Sequence, residues 1–308
     1  MKYLVTGGAG FIGSHIAEGL VKRGDSVRVF DNLCTSDKSN LKAIWNKIEF
    51  VKGDLRKPAD LAKAVRGIHV IFHEAALRSV PRSLADPFSS NEVNITGTLN
   101  LLLAARKAKV KRLIYASSSS LYGDNKVYPQ VETMRASPLS PYAVSKVTAE
   151  YYCTVFAKTF GLETVALRYF NVFGPRQNQD SQYAAVIPKF MEWAKTGKTL
   201  DVHWDGHQSR DFTYIDNVVN ANLIAATKPG IGGQAFNIAC GTSHSLLDII
   251  HAIEGFIGHK LPRRHHPMRA GDVRKTWANI AKARKMLGYK PTVDLQEGLR
   301  RTWEWSIR

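Results

Sequence analysis

Tyr142 and Lys146 stand four residues apart in Pro141-Tyr-Ala-Val-Ser-Lys146. On a helix they would share one face, one turn apart. A tyrosine with a pKa near 10 is a poor base at neutral pH, but an ammonium group beside it favours the phenolate. Such a pair can take a proton from an alcohol and give it back. The same spacing also fits an ordinary exposed helix face, so its weight comes from its surroundings. A run of serines, Ser117 to Ser120, ends an apolar stretch upstream, and glycines crowd the start of the chain.

Those glycines, at positions 7, 8, 10 and 13, satisfy both G-x-x-G-x-x-G and G-x-G-x-x-G. Such a run permits a tight turn, close approach of a pyrophosphate to backbone N–H groups, and packing of a helix on its strand. The context is the required one: a predicted strand (2–6), the glycines, then a predicted helix (11–23) whose positive N-terminal end faces the phosphates. Gly7, Gly10, Phe11, Ile12 and Gly13 are thus candidate cofactor contacts. A second predicted strand (26–30) ends at Asp31, about 20 residues on, where an acid accepts hydrogen bonds from the adenosine ribose. Its charge would repel a 2′-phosphate, which favours NAD over NADP.

These groups need a frame. Predicted strands at 48–52, 68–72 and 112–116 alternate with predicted helices at 58–65 and 89–109. That alternation implies an α/β fold with a doubly wound parallel sheet whose ligand lies beyond the carboxyl ends of the strands. The motifs fall at those ends. Asp54 and Leu55 follow the third strand, where an acid and an apolar residue can bracket an adenine; the alternative is a cap for the next helix. His73-Glu-Ala-Ala76 follows the fourth, with Ala75 and Ala76 small enough for a cofactor to approach. The second half has strands at 164–169, 200–203 and 235–238, helices at 184–195, 215–227 and 246–256, and an amphipathic C-terminal helix holding Trp303 and Trp305. It reads as a smaller substrate-binding lobe (181–308) joined to a cofactor domain (1–180), with a soft boundary and a chain that crosses between the two.

With 308 residues and 44% hydrophobic content, the chain can bury a substantial core. No apolar run reaches the length of a membrane span and no signal peptide is evident, so the expectation is a soluble cytoplasmic protein without a membrane partner. Cys34, Cys153 and Cys240 show no metal-ligand spacing, and we expect no metal and no disulfide, with all three thiols partly buried. The net charge of +17 favours anionic partners in general. No nucleic-acid motif accompanies it, and basic and aromatic residues are not interleaved as in a stacking platform. Nucleic acid is therefore not an expected partner, and the sequence does not explain the charge.

The chain resembles the extended short-chain dehydrogenase/reductase family, specifically its nucleotide-sugar epimerases and dehydratases. The resemblance spans essentially the whole length. It rests on Thr6-Gly-Gly-Ala-Gly-Phe-Ile-Gly13, Asp31-Asn-Leu33, Gly53-Asp-Leu55, His73-Glu-Ala-Ala76, Tyr142-x-x-x-Lys146, Leu167-Arg-Tyr-Phe-Asn171 and Ser209-Arg-Asp-Phe212. It implies a Rossmann fold, tightly bound NAD, Tyr142 as base, Lys146 on the nicotinamide ribose, and Ser118, four residues before Tyr122-Gly123, on the reacting hydroxyl. Cofactor contacts carried over are Gly7, Gly10, Phe11, Ile12, Gly13, Asp31, Asn32, Asp54, Leu55, Ala75, Ala76, Asn94, Tyr142, Lys146 and Tyr169. The dehydratases and decarboxylases of the family carry a carboxyl group just after the Ser118 position. Here Ser119 and Ser120 stand there, which leaves reversible oxidation and reduction at one carbon.

Within the family, Leu77-Arg-Ser-Val-Pro-Arg-Ser83, Tyr183-Ala-Ala-Val-Ile-Pro188 and Gly271-Asp-Val-Arg274 resemble the branch of UDP-sugar 4-epimerases that accept N-acetylated hexosamines. By that resemblance Tyr142 takes the proton of the sugar 4-hydroxyl while hydride passes to NAD, and the 4-keto sugar turns over before reduction. Thr276 matches a gatekeeper position that is bulky and aromatic in relatives confined to plain sugars. Arg210 and Arg269 match diphosphate ligands, Asn171 a phosphate or sugar contact, Ser119 a partner for an acetamido group, and Val186 and Asp272 further substrate contacts. Arg78 departs from the acetyl-sugar pattern, which has a small residue there. It would face the cofactor, the substrate phosphates or a substrate carboxylate. The alternatives are therefore a strict UDP-glucose 4-epimerase, a UDP-hexuronic acid 4-epimerase, or a non-catalytic NAD-binding scaffold. The family is usually dimeric through long helices near 89–109 and 138–160, and a homodimer is expected.

Overall fold

Seven parallel strands form the frame from which the glycine loop, the serine cluster and the Tyr–Lys helix extend. The computed structural model describes residues 1–177, 186–268 and 273–307. The sheet comprises β1 (Lys2–Thr6), β2 (Ser26–Asp31), β3 (Ile48–Lys52), β4 (Val70–His73), β5 (Arg112–Ser118), β6 (Glu163–Tyr169) and, from the second half, β11 (Gln234–Ile238). Their spatial order is β11-β6-β5-β4-β1-β2-β3, with every pairing parallel. The order reverses between β1 and β4, which places the switch point at the glycine loop and the segment after His73.

Alternation along the strands divides the core into two layers. Tyr3, Val5, Val27, Val29 and Phe72 pack on one face with α1 (Phe11–Lys22) and α8 (Ile215–Thr227). Leu4, Phe30, Ile71 and Leu113 pack on the other with α2 (Pro58–Ala64), α5 (Gly97–Lys107) and α6 (Pro141–Thr159). Burial on both faces is why β4 opens with the unbroken apolar run Val70-Ile-Phe72 and has all four residues buried, the polar His73 included.

The helix expected over 89–109 is broken into pieces. After α3 (Val80–Ala85) come α4 (Pro87–Asn91), a π-helical turn (Glu92–Thr96) and then α5. The extra residue of a π turn often marks a functional site, and this one brings Asn94 to the interior at 1% exposure. The sequence carries no periodicity signal for such an insertion.

In the second half, α7 (Val186–Thr196), α9 (Leu246–Ile257) and α10 (Leu295–Ser306) surround short strand pairs. β7 (Val172–Phe173) pairs with β10 (Thr213–Tyr214), β9 (Ser209–Arg210) with β12 (His244–Ser245), and β8 (Leu200–His203) with β13 (Arg263–His266). Most of these two- to four-residue pieces are too short for a sequence pattern to reveal. From this half, β11 joins the main sheet and α8 packs on its face.

Behind β5 and β6 lies a buried polar network. Arg168 donates to both carboxylate oxygens of Glu150 (closest approach 2.5 Å), and the two side chains are 9% and 8% exposed. Ser117 donates to the same carboxylate at 2.6 Å, while Arg168 also donates to Tyr122 Oη at 2.7 Å. Tyr122 in turn donates to Asn237 on β11 at 2.7 Å. The strand that ends in the serine cluster is thus pinned from behind.

Among the described residues, no helix is long and apolar enough to cross a membrane, and no group of three or more His, Cys, Asp or Glu could hold a metal ion. All three cysteines are free, but Cys34 is exposed, unlike the partly buried thiol expected there. It sits in the polar loop after β2, where nothing packs over it.

Candidate active site

The carboxyl ends of β1, β4, β5 and β6 open onto two adjoining clefts. The longer is lined by the glycine loop, Asp31, Asn32, Asp54, Leu55 and residues 74–79. The shorter is lined by Ser118, Ser119, Tyr142, Tyr169, Asn171, Arg210 and Thr276. Phe11, Ile12, Arg78, Tyr142 and Gln177 line both.

In the long cleft the glycines are sterically required. A Cβ on Gly13 would lie 2.3 Å from Gly7 O, and one on Gly7, at φ +65°, would lie 2.7 Å from the Ala75 backbone. The N-cap of α1 is Gly10, with no side-chain cap, so the first N–H groups of the helix are left to a ligand in the cleft. Asp31 accepts from Ala9 N and Leu33 N, and burial raises its pKa. Asp54 is held by Arg56 through both carboxylate oxygens and by Asn32. This cradle, with uncapped N–H groups above and a carboxylate at the end of β2, fits a dinucleotide.

A chain of hydrogen bonds fixes the wall opposite the glycines. Ala75 N donates to Thr6 Oγ1 (3.3 Å), and Thr6 Oγ1 lies 2.8 Å from His73 Nδ1. His73 Nε2 lies 2.9 Å from Thr98 Oγ1, which donates to Asn94 O. The hydroxyl of Thr98 is already donating, so it accepts from His73 Nε2–H. Nδ1 must then accept from Thr6. Burial, aided by Lys146, depresses the His73 pKa to about 3, in keeping with this neutral imidazole.

Asn94 continues the chain. Its Oδ1 accepts from Leu77 N (2.8 Å), and its Nδ2 donates to Leu77 O and Ser145 Oγ, both at 3.0 Å. Ser145 donates to Tyr142 O at 2.8 Å. Every donor and both faces of the Asn94 amide are engaged by protein, and it lines neither cleft. Through these bonds it orients residues 77–78 and the first turn of α6.

Ser140 caps α6, accepting from Ala143 N, and Pro141 occupies its first turn. Lys146 is 4% exposed and donates to Ala116 O at 2.8 Å. Its ammonium lies 5.1 Å from the Tyr115 ring centre and 5.8 Å from that of Tyr142. Burial lowers its pKa to about 8, against the opposing pull of Glu74. Tyr142 has its pKa raised by burial, while a hydrogen bond with Ser118 and the charge of Arg78 act the other way. Ser118 Oγ accepts from both N and Oγ of Ser120 (3.2 and 2.9 Å). A phenol, a hydroxyl and an ammonium therefore converge where an alcohol could exchange a proton.

On the far wall, Asn171, at φ +36°, donates through Nδ2 to Asp211 O (3.1 Å) and to Thr276 Oγ1 (2.9 Å). Because the Asp211 carbonyl can only accept, the amide orientation is unambiguous, and its Oδ1 faces away from both partners. Asp211 accepts from the N–H groups of Cys240, Gly241 and Ala278, tying this wall together. Val186 opens α7 and is not among the residues lining either cleft. Arg269 and Asp272 lie outside the described residues, as do Gly271 and Tyr183.

The sequence reading assigned no role to Glu74. It lines the long cleft and accepts from Tyr169 Oη at 2.9 Å, while burial raises its pKa to about 7. A carboxyl just past a buried strand, next to the buried His73, is the signal that could have flagged it. Arg176 and Gln177 were also missed. Arg176 is paired with Glu18, and His15 Nε2 is 3.0 Å from Pro175 O, which straps this loop onto α1.

A doubly wound sheet with a dinucleotide cradle at its switch point and a Tyr–Lys pair on the neighbouring helix defines a short-chain dehydrogenase/reductase enzyme. Comparison narrows the class. Residues 3–239 match the model of the NAD-dependent epimerase/dehydratase family, and the chain belongs to that family. It is 38% identical over 310 residues to a UDP-glucose 4-epimerase of Mycolicibacterium smegmatis, covering 99% of this chain and 98% of the relative. It is 37% identical to a UDP-glucuronate 4-epimerase of Thermodesulfobacterium geofontis, covering 99% and 95%. The solved structure of a UDP-N-acetylglucosamine 4-epimerase from Methanobrevibacter ruminantium M1, in complex with UDP-N-acetylmuramic acid, superposes with a TM-score of 0.95 at 38% identity, covering 99% and 98%. The cofactor is NAD, as the family's name states.

Proposed function

We propose that the protein epimerises UDP-sugars at C4, with UDP-GlcNAc and UDP-GalNAc as principal substrates and UDP-Glc and UDP-Gal also accepted. The observation that carries the acetylated preference is Thr276. It lies on the wall of the cleft that holds Tyr142, is small, and has its hydroxyl fixed by Asn171. A bulky aromatic side chain there would fill the space an acetamido group needs. Ser119, which lines the same cleft, hydrogen-bonds that group in this reading.

In this reading NAD is retained, held by the glycine loop, Asp31, Asn32, Asp54, Leu55, Ala75, Ala76 and Lys146, and supplies reversible uptake of the hydrogen on sugar C4. Tyr142 removes the 4-hydroxyl proton as that carbon is oxidised and returns it when the carbon is reduced on the other face. Ser118 orients the hydroxyl. Arg210 pairs with the diphosphate, which a planar guanidinium can do bidentately. Asn171 offers Oδ1 to a sugar hydroxyl, since both its N–H groups are engaged by protein. In this proposal Arg269 joins Arg210 on the diphosphate, and Asp272 is a further substrate contact.

The test is incubation of purified protein, without added NAD, with UDP-GlcNAc and separately with UDP-Glc, followed by NMR of the anomeric protons. Both should convert, and Thr276→Tyr should lose UDP-GlcNAc turnover by at least about tenfold more than UDP-Glc turnover, the scale of a lost pocket contact. Conversion of UDP-Glc alone by the unaltered protein would refute the acetylated preference. One observation favours a second reading: Arg78 lines the cleft without a hydrogen-bond or ion-pair partner among the described residues, and suits a hexuronate carboxylate. Conversion of UDP-glucuronate in preference to both would establish it.

We also propose a homodimer through α5 and α6. Leu103 on α5 and Val144, Tyr151 and Val155 on α6 are exposed by 49%, 45%, 61% and 46%, respectively, an apolar face that a monomer would leave in water. Sedimentation equilibrium should give twice the chain mass, and Tyr151→Glu with Val155→Glu should shift it to one; a wild-type monomer at micromolar concentration would rule this out.

A further inference from the structure

Arg78 carries a charge that the scheme above does not use. The backbone is fixed on both sides of it. Leu77 is clamped through N–H and C=O by the Asn94 amide, and Ser79 sits at φ +120°, where a non-glycine residue is strained. Strain held in place by surrounding structure is characteristic of functional segments. The Arg78 side chain lines both clefts. Among the described residues it makes no hydrogen bond or ion pair.

The charges around Tyr142 can be enumerated. From its own helix comes Lys146, whose ammonium is directed at Ala116 O and lies 5.8 Å from the phenol ring centre. From β5 come Ser118, bonded to the phenol, and Tyr115. From the segment after β4 come Glu74, whose charge opposes the phenolate, and Arg78, whose charge favours it. Reciprocally, Tyr142 supports the charge of Arg78 against its desolvation.

We propose that Arg78, which lines the same two clefts as Tyr142, contributes positive charge that favours the Tyr142 phenolate, offsetting Glu74 and working alongside Lys146. Arg78 acts through Tyr142 and is a positioning residue in the electrostatic sense. It keeps its own protons throughout, and only Tyr142 exchanges one with the sugar hydroxyl. The inference rests on Tyr142 being the base.

The holoenzyme, Arg78→Met and Arg78→Lys are compared by kcat/KM across pH, together with a pH titration of phenolate absorbance from which the Tyr142→Phe curve is subtracted. Arg78→Met should move the acid limb and the phenolate midpoint upward by about one pH unit. That corresponds to about a tenfold deficit below the limb, closing as pH rises. Arg78→Lys should stay within a few tenths of a unit of wild type. A loss in Arg78→Met that is the same at every pH, with an unmoved phenolate midpoint, would make Arg78 a simple phosphate ligand and overturn the proposal. Full turnover by Tyr142→Phe would instead remove the base itself, a failure distinguishable from an unmoved limb because it leaves no phenolate signal assignable to catalysis.

Discussion

Tyr142→Phe should lower kcat by about 10²- to 10⁴-fold, the usual contribution of a positioned acid–base group, while NAD stays bound. The ring packs as before, and Ser145 still donates to the backbone carbonyl of residue 142, so α6 and the clamp through Asn94 are undisturbed. None of the backbone and carboxylate groups that form the cofactor cradle is touched. Turnover measured by NMR and NAD content measured after denaturing the purified protein check the two halves of the statement separately. Retained turnover would contradict the assigned base. Loss of both turnover and NAD would instead mean that the phenol is needed to hold the cofactor.

Glu150→Ala should destabilise the protein by about 3–5 kcal/mol, because removing one partner of a buried ion pair leaves the other charge uncompensated. Arg168 would keep only Tyr122 Oη and Glu132 O as acceptors, and Ser117 would lose its acceptor. Glu150→Gln retains volume and one acceptor and should lose less. Denaturant unfolding of the two variants gives the comparison. Because Ser117 precedes Ser118, Glu150→Ala should also reduce turnover in the fraction that remains folded. An Ala variant as stable as wild type would mean that the network contributes nothing to stability.

Much of this was legible in the sequence because the frame is repetitive. The strands at 2–6, 48–52 and 200–203 match the expected bounds and the others differ by one or two residues at either end, since parallel strands bounded by glycine, asparagine or aspartate give a strong local signal. The dinucleotide cradle was legible for a different reason: its glycines are required by contacts as close as 2.3 Å. What escaped was non-local. The π turn has no periodicity of its own, the short pairs β7–β10 and β9–β12 are fixed by tertiary packing, and nothing in the sequence shows that the Asn94 amide clamps Leu77. Glu74 and Arg78 have sequence neighbours that say nothing of their electrostatic opposition across Tyr142.

The hydrogen bond between Asn171 and Thr276 has a consequence for how selectivity can evolve. The residue proposed above to set the size of the sugar pocket also satisfies an amide held at a positive-φ backbone position, and that amide is braced against Asp211. A bulky replacement at 276 that lacks a hydroxyl in the right place would narrow the pocket and at the same time leave a polar N–H without its acceptor, a penalty of about 1–3 kcal/mol if no water reaches it. If Thr276 acts as proposed, substrate range and stability are coupled at one contact, and a change of sugar should cost less stability when positions 171 and 276 change together.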